Sequence, residues 1–418
     1  MAKAFQTLKG FRDFFPDDCA ARNYVFDVWR QVARSYGFVE YEGPVLEPTD
    51  LYKRKSGAEI VDQLFCFEDK GGRPVSLRPE LTPTLARMVA ARQRDFKKPL
   101  RWFSIGQFFR YEKHQKGRGR EFYQLNCDIL GEPSVRADAE LIALSIDLMR
   151  AFGFSSQDFR IRISDRHTWT SFAKESGVPD EKLTGFLQIV DKLDRTPPAK
   201  VDELLKEFGL DTEKIQAFIE RGAEASPLLS EILEDLSSRG LGDFVEIDLR
   251  IVRGLAYYTG SVFEIFDIGK GMRAVAGGGR YDQLVDLIGG VDLPACGFAM
   301  GDMVISDFIR ETENPNEKLE KALHSHRAID VFVVIADETM RKESNALIQD
   351  LRSTGYAVSQ PLSPMKVGKQ FQVAEHAGAG VAVVIGSEFP DVTIKDLGQR
   401  EESICRADEL IEKLARLR

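Results

Sequence analysis

The clearest strand pattern in the chain lies at residues 122–130, where apolar and polar side chains alternate. The apolar set is Tyr123, Leu125, Cys127 and Ile129, and the polar set is Gln124, Asn126 and Asp128. A period of two predicts a strand that turns one apolar and one polar face outward. A polar row in mid-strand is unfavourable if it is buried without partners, so we predict that this face lines a pocket for a polar ligand.

A basic loop joins this strand to a second extended run that begins at residue 101. The loop carries five cations within eleven residues: Arg110, Lys113, Lys116, Arg118 and Arg120. Such a run suits phosphate groups, either of a small ligand or of a nucleic-acid backbone. It is equally typical of a charged hairpin tip that only faces water. The pattern alone leaves both interpretations open.

Helical and extended patterns divide the rest of the chain into two parts. Helical spacing follows Pro16 and recurs at 138–152, and the charged region 166–240 is helical throughout. A half-buried strand is predicted to begin at Val245. A second strand follows and returns through a hairpin to the three glycines at 277–279. These glycines suit either a flexible loop or close approach of the backbone to a ligand. The polar segment 311–328 predicts a linker. Beyond it, strands alternate with helices at 338–354, 366–377 and 407–416, as in a compact α/β domain.

Composition narrows the class of protein. With 418 residues, 43% of them apolar and 29% charged, the chain fits a soluble globular protein of two or three domains. Its net charge of -9 argues against a protein that binds nucleic acid through a generally basic surface, but it does not exclude binding through a local basic patch. The five cysteines include no CxxC pair, so we expect no zinc site and no disulfide framework. Without a membrane-spanning run or a signal peptide, a cytoplasmic protein with no membrane partner is expected.

The loop sequence FRYEKHQKGRGREFYQ resembles the second signature motif of class II aminoacyl-tRNA synthetases, in the form found in histidyl-tRNA synthetases. SLRPELTPTLAR at 76–87, VRGLAYYTG, GGGRYDQL and ACGFAMGDMVI at 295–305 resemble further peptides of that family. The resemblance covers nearly the whole chain. It implies an α+β catalytic domain with an antiparallel sheet, the class II synthetase fold, over 1–322. A helical insertion at 166–240 and a C-terminal α/β anticodon-binding domain at 329–418 complete it. A homodimer is implied by the helix and strand at 18–44.

The resemblance also implies the reaction and its residues. ATP, as its Mg²⁺ complex, would drive ligation of L-histidine to histidine tRNA through histidyl-adenylate, and no metal would be bound by the protein itself. The catalytic residues would be Arg110 and Arg253. The ATP-binding residues would be Arg110, Glu112, Arg118, Arg120 and Arg253, and the tRNA-binding residues Gln115 and Lys116.

The histidine site would be formed by residues from four segments. On pattern alone, Glu80 and Thr82 favour a helix cap, but the resemblance assigns them to the amino group of histidine. Gln124 would hold the polar main-chain end of the substrate. Asp128 and Tyr258 would flank the imidazole, with Tyr257 beside them.

The chain departs from the family at two positions. Most members carry an arginine that contacts the ATP γ-phosphate where this chain has Val304, and many carry aspartate at Ala256. We expect Val304 to pack into the core with Phe308, and either Arg118 or Arg120 to take over the γ-phosphate. The alternative function is that of a non-catalytic paralogue. This would be a tRNA-sensing module or the regulatory subunit of ATP phosphoribosyltransferase, which lacks the C-terminal domain.

Overall fold

The computed structural model describes residues 5–56, 58–113, 115, 117–193, 196–251, 257–325 and 329–416. The predicted site residues Arg253 and Lys116, as well as Ala256, lie outside these ranges. The chain divides into two compact units, Met1–Leu319 and Glu320–Arg418. Among the described residues, no helix combines the length and the apolarity that crossing a bilayer requires.

The helices are α1 (Pro16–Ser35), α2 (Thr49–Ser56), α3 (Thr82–Arg92), α4 (Arg136–Phe152), α5 (Arg166–Glu175), α6 (Leu183–Val190), α7 (Pro198–Leu205), α8 (Thr212–Glu220), α9 (Pro227–Ser238), α10 (Leu284–Gly289), α11 (Asp302–Arg310), α12 (Glu313–Ser325), α13 (Arg341–Ser353), α14 (Val367–His376) and α15 (Leu410–Ala415).

The strands are β1 (Val39–Glu40), β2 (Leu46–Pro48), β3 (Cys66–Glu68), β4 (Pro74–Leu77), β5 (Leu100–Phe109), β6 (Glu121–Leu130), β7 (Phe159–Asp165), β8 (Val245–Ile247), β9 (Ser261–Asp267), β10 (Ala276–Arg280), β11 (Ala295–Gly301), β12 (Val331–Ile335), β13 (Val358–Ser359), β14 (Val381–Ile385), β15 (Asp391–Asp396) and β16 (Glu402–Arg406).

The first unit is built on a large sheet in which the strands run in the order β1-β5-β6-β11-β10-β9-β7-β8. All pairs are antiparallel except the two at the edges, β1 with β5 and β7 with β8. The predicted alternation in β6 is present: Leu125 and Cys127 are fully buried, and Ile129 is nearly so. Helix α4 contacts β6 and β11, and α1 contacts α4. Gln124, Asn126 and Asp128 are thereby left for the other face of the sheet.

Three glycines that suited either a loop or a ligand contact lie within β10 as a regular strand. A Cβ atom on Gly278 would stand 2.3 Å from the carbonyl oxygen of Gly297 on β11. The neighbouring strands therefore leave no space for a side chain at this position, and the flexible-loop interpretation is wrong.

The predicted helical insertion at 166–240 contains α5 to α9. Its core is aromatic: Trp169 and Phe186 are fully buried, and the ring of Phe218 lies 4.8 Å from that of Trp169. The indole Nε1 of Trp169 also donates to the carbonyl of Leu249, at 2.7 Å. That bond ties the helices to the segment that follows β8.

The prediction of a polar linker at 311–328 is wrong, because α12 occupies Glu313–Ser325. Its sequence is mostly polar, yet Pro315 and Leu319 are buried at a spacing of four residues. Two polar side chains also bond to the end of α4: Asn314 donates to Gly153 O at 2.6 Å and Lys318 to Ala151 O at 3.3 Å. These carbonyls have no helical partner of their own, and α12 satisfies them.

The second unit is a mixed sheet in the order β13-β12-β14-β15-β16, with parallel pairing around β12 and antiparallel pairing from β14 onward. Its core joins buried residues of the central strands to α13, among them Val333, Ile348, Leu351 and Val383. The alternating strands and helices predicted for this region are present.

Candidate active site

A cavity of about 470 Å³ opens on the polar face of the large sheet. Its lining includes all six residues predicted to bind histidine: Glu80, Thr82, Gln124, Asp128, Tyr257 and Tyr258. Three of the predicted ATP-binding residues, Arg110, Glu112 and Arg118, line it as well. Residues that lie up to about 180 positions apart in the chain thus converge on one concave surface, as binding sites require.

A second cavity of about 210 Å³ adjoins the first. The two share Arg110, Arg118 and Gln124, and the second continues to Val304 at the start of α11. Cations thus lie where the two cavities meet, which suits a ligand that carries phosphate.

Strand β6 and its neighbours determine what projects into the first cavity. Gln124 pairs with Gly106 on β5 and with Gly301 on β11, so neither cross-strand partner has a side chain that could cover it. Asp128 pairs with Gly297, where a Cβ atom would come within 2.0 Å of Asp128 Oδ1. The Asp128 carboxylate can therefore occupy this position only because residue 297 has no side chain.

Asp128 is buried and accepts a hydrogen bond on Oδ1 from the hydroxyl of Tyr281. Burial raises the pKa of Asp128 to about 7, and the Tyr281 hydrogen bond opposes that rise. Burial likewise raises the pKa of Tyr281 well above its usual value. Tyr281 also lines the cavity and was not predicted as a site residue. The signal was present in GGGRYDQL, but only its glycines were interpreted.

Glu80 is held by a second residue that the sequence did not reveal. Lys55 Nζ, on α2, donates to Glu80 Oε1 at 2.5 Å and lies 3.8 Å from the centre of the Tyr257 ring. The Lys55 side chain is only 1% exposed. Burial lowers its pKa, while the carboxylate of Glu80 opposes that shift. One ammonium group therefore fixes both the carboxylate and an aromatic wall of the cavity.

The helix-cap interpretation of Glu80 and Thr82 is wrong. Helix α3 begins at Thr82, its N-cap is Leu81, and no side chain caps it. Leu81 is buried, whereas Glu80 and Thr82 both line the cavity.

Arg110 lies at the junction of the two cavities. Its Nε donates to Pro79 O at 3.0 Å, and its guanidinium lies 5.1 Å from the centre of the Phe122 ring. Burial lowers the pKa of Arg110, and the nearby Glu80 and Glu112 oppose that shift. An arginine remains charged under these conditions, so the junction carries a fixed positive charge.

The predicted substitutes for the missing family arginine differ in position. Arg118 forms an ion pair with Glu112 and lines both cavities. Arg120 is not among the described residues that line either cavity. Its guanidinium stacks on Tyr111 at 4.3 Å, and its Nε donates to Glu112 O at 3.2 Å. The structure therefore favours Arg118 of the two.

Val304 does not pack into the core, so that prediction is wrong. Its side chain is half-buried and lines the second cavity, close to Gly117 of the basic loop. Phe308, one turn later, is fully buried, with its ring 4.2 Å from that of Phe154. Val304 thus faces the cavity, whereas Ile305 and Phe308 of the same helix are buried in the core.

Of the two residues predicted to contact tRNA, the structure describes Gln115. It is exposed in the basic loop, and its Oε1 accepts a hydrogen bond from Arg273, between β9 and β10. Among the described residues, no group of three or more His, Cys, Asp or Glu side chains could hold a metal ion. That the protein binds no metal of its own stays a prediction.

Comparison with known proteins identifies the family. Residues 10–303 match the histidyl-tRNA synthetase family model, and residues 330–417 match that of the anticodon binding domain. The chain belongs to the histidyl-tRNA synthetase family. The histidine–tRNA ligase of Opitutus terrae is 43% identical over 96% of this chain and 95% of that protein. The chloroplastic/mitochondrial histidine–tRNA ligase of Arabidopsis thaliana is 36% identical over 96% of this chain and 85% of its own.

Solved structures agree in fold. The crystal structure of histidyl-tRNA synthetase from Nostoc sp. PCC 7120 superimposes with a TM-score of 0.77 at 24% identity, covering 100% of both chains. The predicted family and fold class, including the C-terminal anticodon-binding domain, are confirmed.

Proposed function

We propose that the chain ligates L-histidine to histidine tRNA in two ATP-dependent steps. The observation that carries this proposal is the pair of adjoining cavities. One holds Glu80, Gln124 and Asp128 on its walls, and Arg110 lies where it meets the other. In a chain of the histidyl-tRNA synthetase family, that arrangement suits an amino acid beside a triphosphate.

In the first cavity, Glu80 and Thr82 hold the ammonium group of histidine. Glu80 Oε1 is paired with Lys55, which leaves Oε2 for the substrate. Gln124 bonds the main-chain end, next to the second cavity. Asp128 accepts a hydrogen bond from the imidazole, and Tyr257 and Tyr258 form the wall beside the ring. A site that hydrogen-bonds the ring discriminates strongly against analogues that lack those groups.

In the first step, an oxygen of the histidine carboxylate attacks the α-phosphorus of ATP. The bond to the β-phosphate breaks, and pyrophosphate leaves with the magnesium ion that entered with ATP. No side-chain nucleophile takes part. Arg110 stabilises the negative charge that develops at the α-phosphate, and Arg118 lies at the remaining phosphates. Arg253, outside the described residues, is assigned to the α-phosphate by the family resemblance alone.

In the second step, a ribose hydroxyl of the terminal adenosine attacks the carbonyl carbon of histidyl-adenylate, and AMP leaves. Gln115 and Lys116 contact the acceptor end, and the domain at 329–418 reads the anticodon. The proposal includes a cytoplasmic homodimer. Sedimentation at micromolar concentration should show a dimer, and a monomer would contradict that part of the proposal.

The non-catalytic alternatives are not favoured. The predicted distinction was the C-terminal domain, which the regulatory paralogue lacks, and residues 330–417 of this chain match an anticodon-binding domain. The relatives from Opitutus terrae and Arabidopsis thaliana, which match the chain along nearly its whole length, are histidine–tRNA ligases.

Histidine-dependent exchange of pyrophosphate into ATP tests the proposal directly. We expect exchange with histidine and not with the other standard amino acids. Asp128→Asn should reduce kcat/KM for histidine by at least about tenfold, the equivalent of one charge-assisted hydrogen bond. Asp391→Asn, at an exposed position in β15, is the matched control and should leave the rate unchanged. A folded wild-type protein without exchange activity would instead support a regulatory or tRNA-sensing role.

A further inference from the structure

Arg280 is buried behind the first cavity, on the side of the large sheet that faces α4. It is the last residue of β10, is 5% exposed, and is not among the described residues that line either cavity. Its Nε donates to Asp138 Oδ2 on α4 at 3.1 Å, and its Nη2 donates to the same carboxylate. Burying a charge is unfavourable unless it is paired and hydrogen-bonded, so these contacts hold the guanidinium in place.

All five N–H groups of the Arg280 guanidinium have acceptors. Besides the two bonds to Asp138, Nη2 donates to Ser134 O at 3.0 Å, and Nη1 donates to Glu132 O at 3.2 Å and to Asp282 Oδ1 at 3.1 Å. The acceptors come from the segment before α4, from α4 itself and from the residue two positions after the arginine. The planar fork of arginine fits such a set, whereas a lysine ammonium has only three donors, on a single atom.

The hydrogen bond between Arg280 and Asp282 brackets Tyr281. Side chains two positions apart lie on the same face of an extended segment, so the residue between them projects to the opposite face. That face is the cavity, which Tyr281 lines and where its hydroxyl donates to Asp128. The Asp282 carboxylate also accepts a hydrogen bond from Ala295 N at 3.1 Å, which joins the bracket to β11. The orientation of Tyr281 is thus fixed by side chains on the other side of the sheet.

Asp138 anchors this arrangement to α4. Its carboxylate is buried, and Oδ1 also accepts a hydrogen bond from the hydroxyl of Ser261, the first residue of β9. Helix α4 contacts β6, the strand that carries Asp128. The same helix therefore supports both the arginine that orients Tyr281 and the strand whose carboxylate Tyr281 binds.

We propose that Arg280 is a positioning residue for histidine recognition, because its guanidinium holds the Tyr281 hydroxyl at Asp128, the carboxylate assigned to the imidazole. The inference rests on the proposed function and deepens it. Without the fork, Tyr281 can take other orientations, and Asp128 loses the donor that fixes its own. ATP binding is unaffected, because Tyr281 and Asp128 line the first cavity and are not among the described residues that line the second.

Pyrophosphate exchange by Arg280→Lys, Tyr281→Phe and the double variant tests this role. Lysine keeps the positive charge but has no planar fork. We expect Arg280→Lys to raise KM for histidine about fivefold, with KM for ATP and the rate at saturating histidine changed less than about twofold. When Tyr281→Phe is already present, the same substitution should change KM for histidine less than about twofold, because the hydroxyl that it positions is gone. Arg101→Lys, in another arginine pair with α4, to Glu140, is the matched control and should change none of these values.

Equal increases in KM for histidine with and without Tyr281→Phe would overturn the inference, because a general packing defect acts whether or not the hydroxyl is present. An unchanged KM for histidine in Arg280→Lys would overturn it too. If Arg280→Lys does not fold, Asp138→Asn keeps the size of the anchor and one acceptor oxygen, and its effect should depend on Tyr281 in the same way. Wild type without histidine-dependent exchange refutes the proposed function itself, whereas active wild type without this coupling refutes only the role of Arg280.

Discussion

Replacing Tyr281 by phenylalanine should impair histidine use in a pH-dependent way. The substitution removes the hydroxyl that donates to Asp128, whose pKa burial has already raised to about 7. A hydrogen bond to a charged group contributes about 1.5–3 kcal/mol, and about 1.4 kcal/mol corresponds to one pKa unit. Losing it should therefore raise the pKa of Asp128 further, to about 8–9.

The consequence for activity follows from the ionised fraction of Asp128. At about pH 7.5 that fraction should fall from roughly three quarters to roughly one tenth, taking a pKa of about 8.5 in the variant. In the ionised carboxylate both oxygens accept hydrogen bonds, whereas protonation turns one of them into a donor. We therefore take the ionised form of Asp128 as the form that binds the imidazole N–H. We therefore expect kcat/KM for histidine to fall about eightfold at that pH and to recover above about pH 9.5.

The measurement is kcat/KM for histidine in pyrophosphate exchange across this pH range, for wild type and Tyr281→Phe. Free histidine also titrates, near pH 6.5, but it does so equally for both proteins, so the difference between the curves reports Asp128. Tyr36→Phe removes a tyrosine–aspartate hydrogen bond outside both cavities, to Asp147, and should leave the profile unchanged. A loss that is uniform with pH, with the inflection unmoved, would refute the reasoning.

Three further predictions concern the two cavities and the two units. Lys55→Met should lower the free energy of unfolding by about 3 kcal/mol and raise KM for histidine, because Glu80 loses a buried partner. Denaturant unfolding checks the stability change, with Lys53→Met at an exposed position of the same helix as the control. Val304→Arg should lower KM for ATP severalfold at an unchanged melting temperature, because position 304 lines a cavity; an unchanged KM would show that this cavity does not take the phosphates. Deleting 329–418 should reduce tRNA charging far more than exchange, and equal loss of both rates would contradict the assigned division.

Much of the candidate site could be predicted because one strand carries a large part of it. The alternation along β6 is enough to assign Gln124 and Asp128 to one face, and a buried polar row has few explanations other than a ligand. The cations of the basic loop were harder to assign. Their spacing is the same whether they face a phosphate, as Arg118 can, or stack on a neighbouring ring, as Arg120 does.

Residues that act through a partner were missed. Lys55 carries no local signal, because its importance arises from Glu80, which lies 25 positions away. Tyr281 follows a run of glycines whose conformational freedom is the more obvious signal, and its partner Asp128 is distant in the sequence. The composition of 311–328 is polar and predicts a linker, whereas α12 is held at the end of α4 by Asn314 and Lys318, contacts that composition cannot reveal. Long-range partners, rather than local propensity, account for each of these misses.

The glycines beneath the first cavity also bear on how substrate preference can change. Gly277 and Gly297 line the cavity, and a Cβ atom on Gly297 would come within 2.0 Å of Asp128 Oδ1, so part of the cavity surface is main chain that leaves no room for a side chain. Substitution there cannot reshape it by degrees. A lineage, or a laboratory selection, that moves this site toward another amino acid must work through the walls, at positions such as 80, 126 and 258. A library restricted to those walls would sample the accessible variation and avoid a position where an added Cβ atom would clash with Asp128.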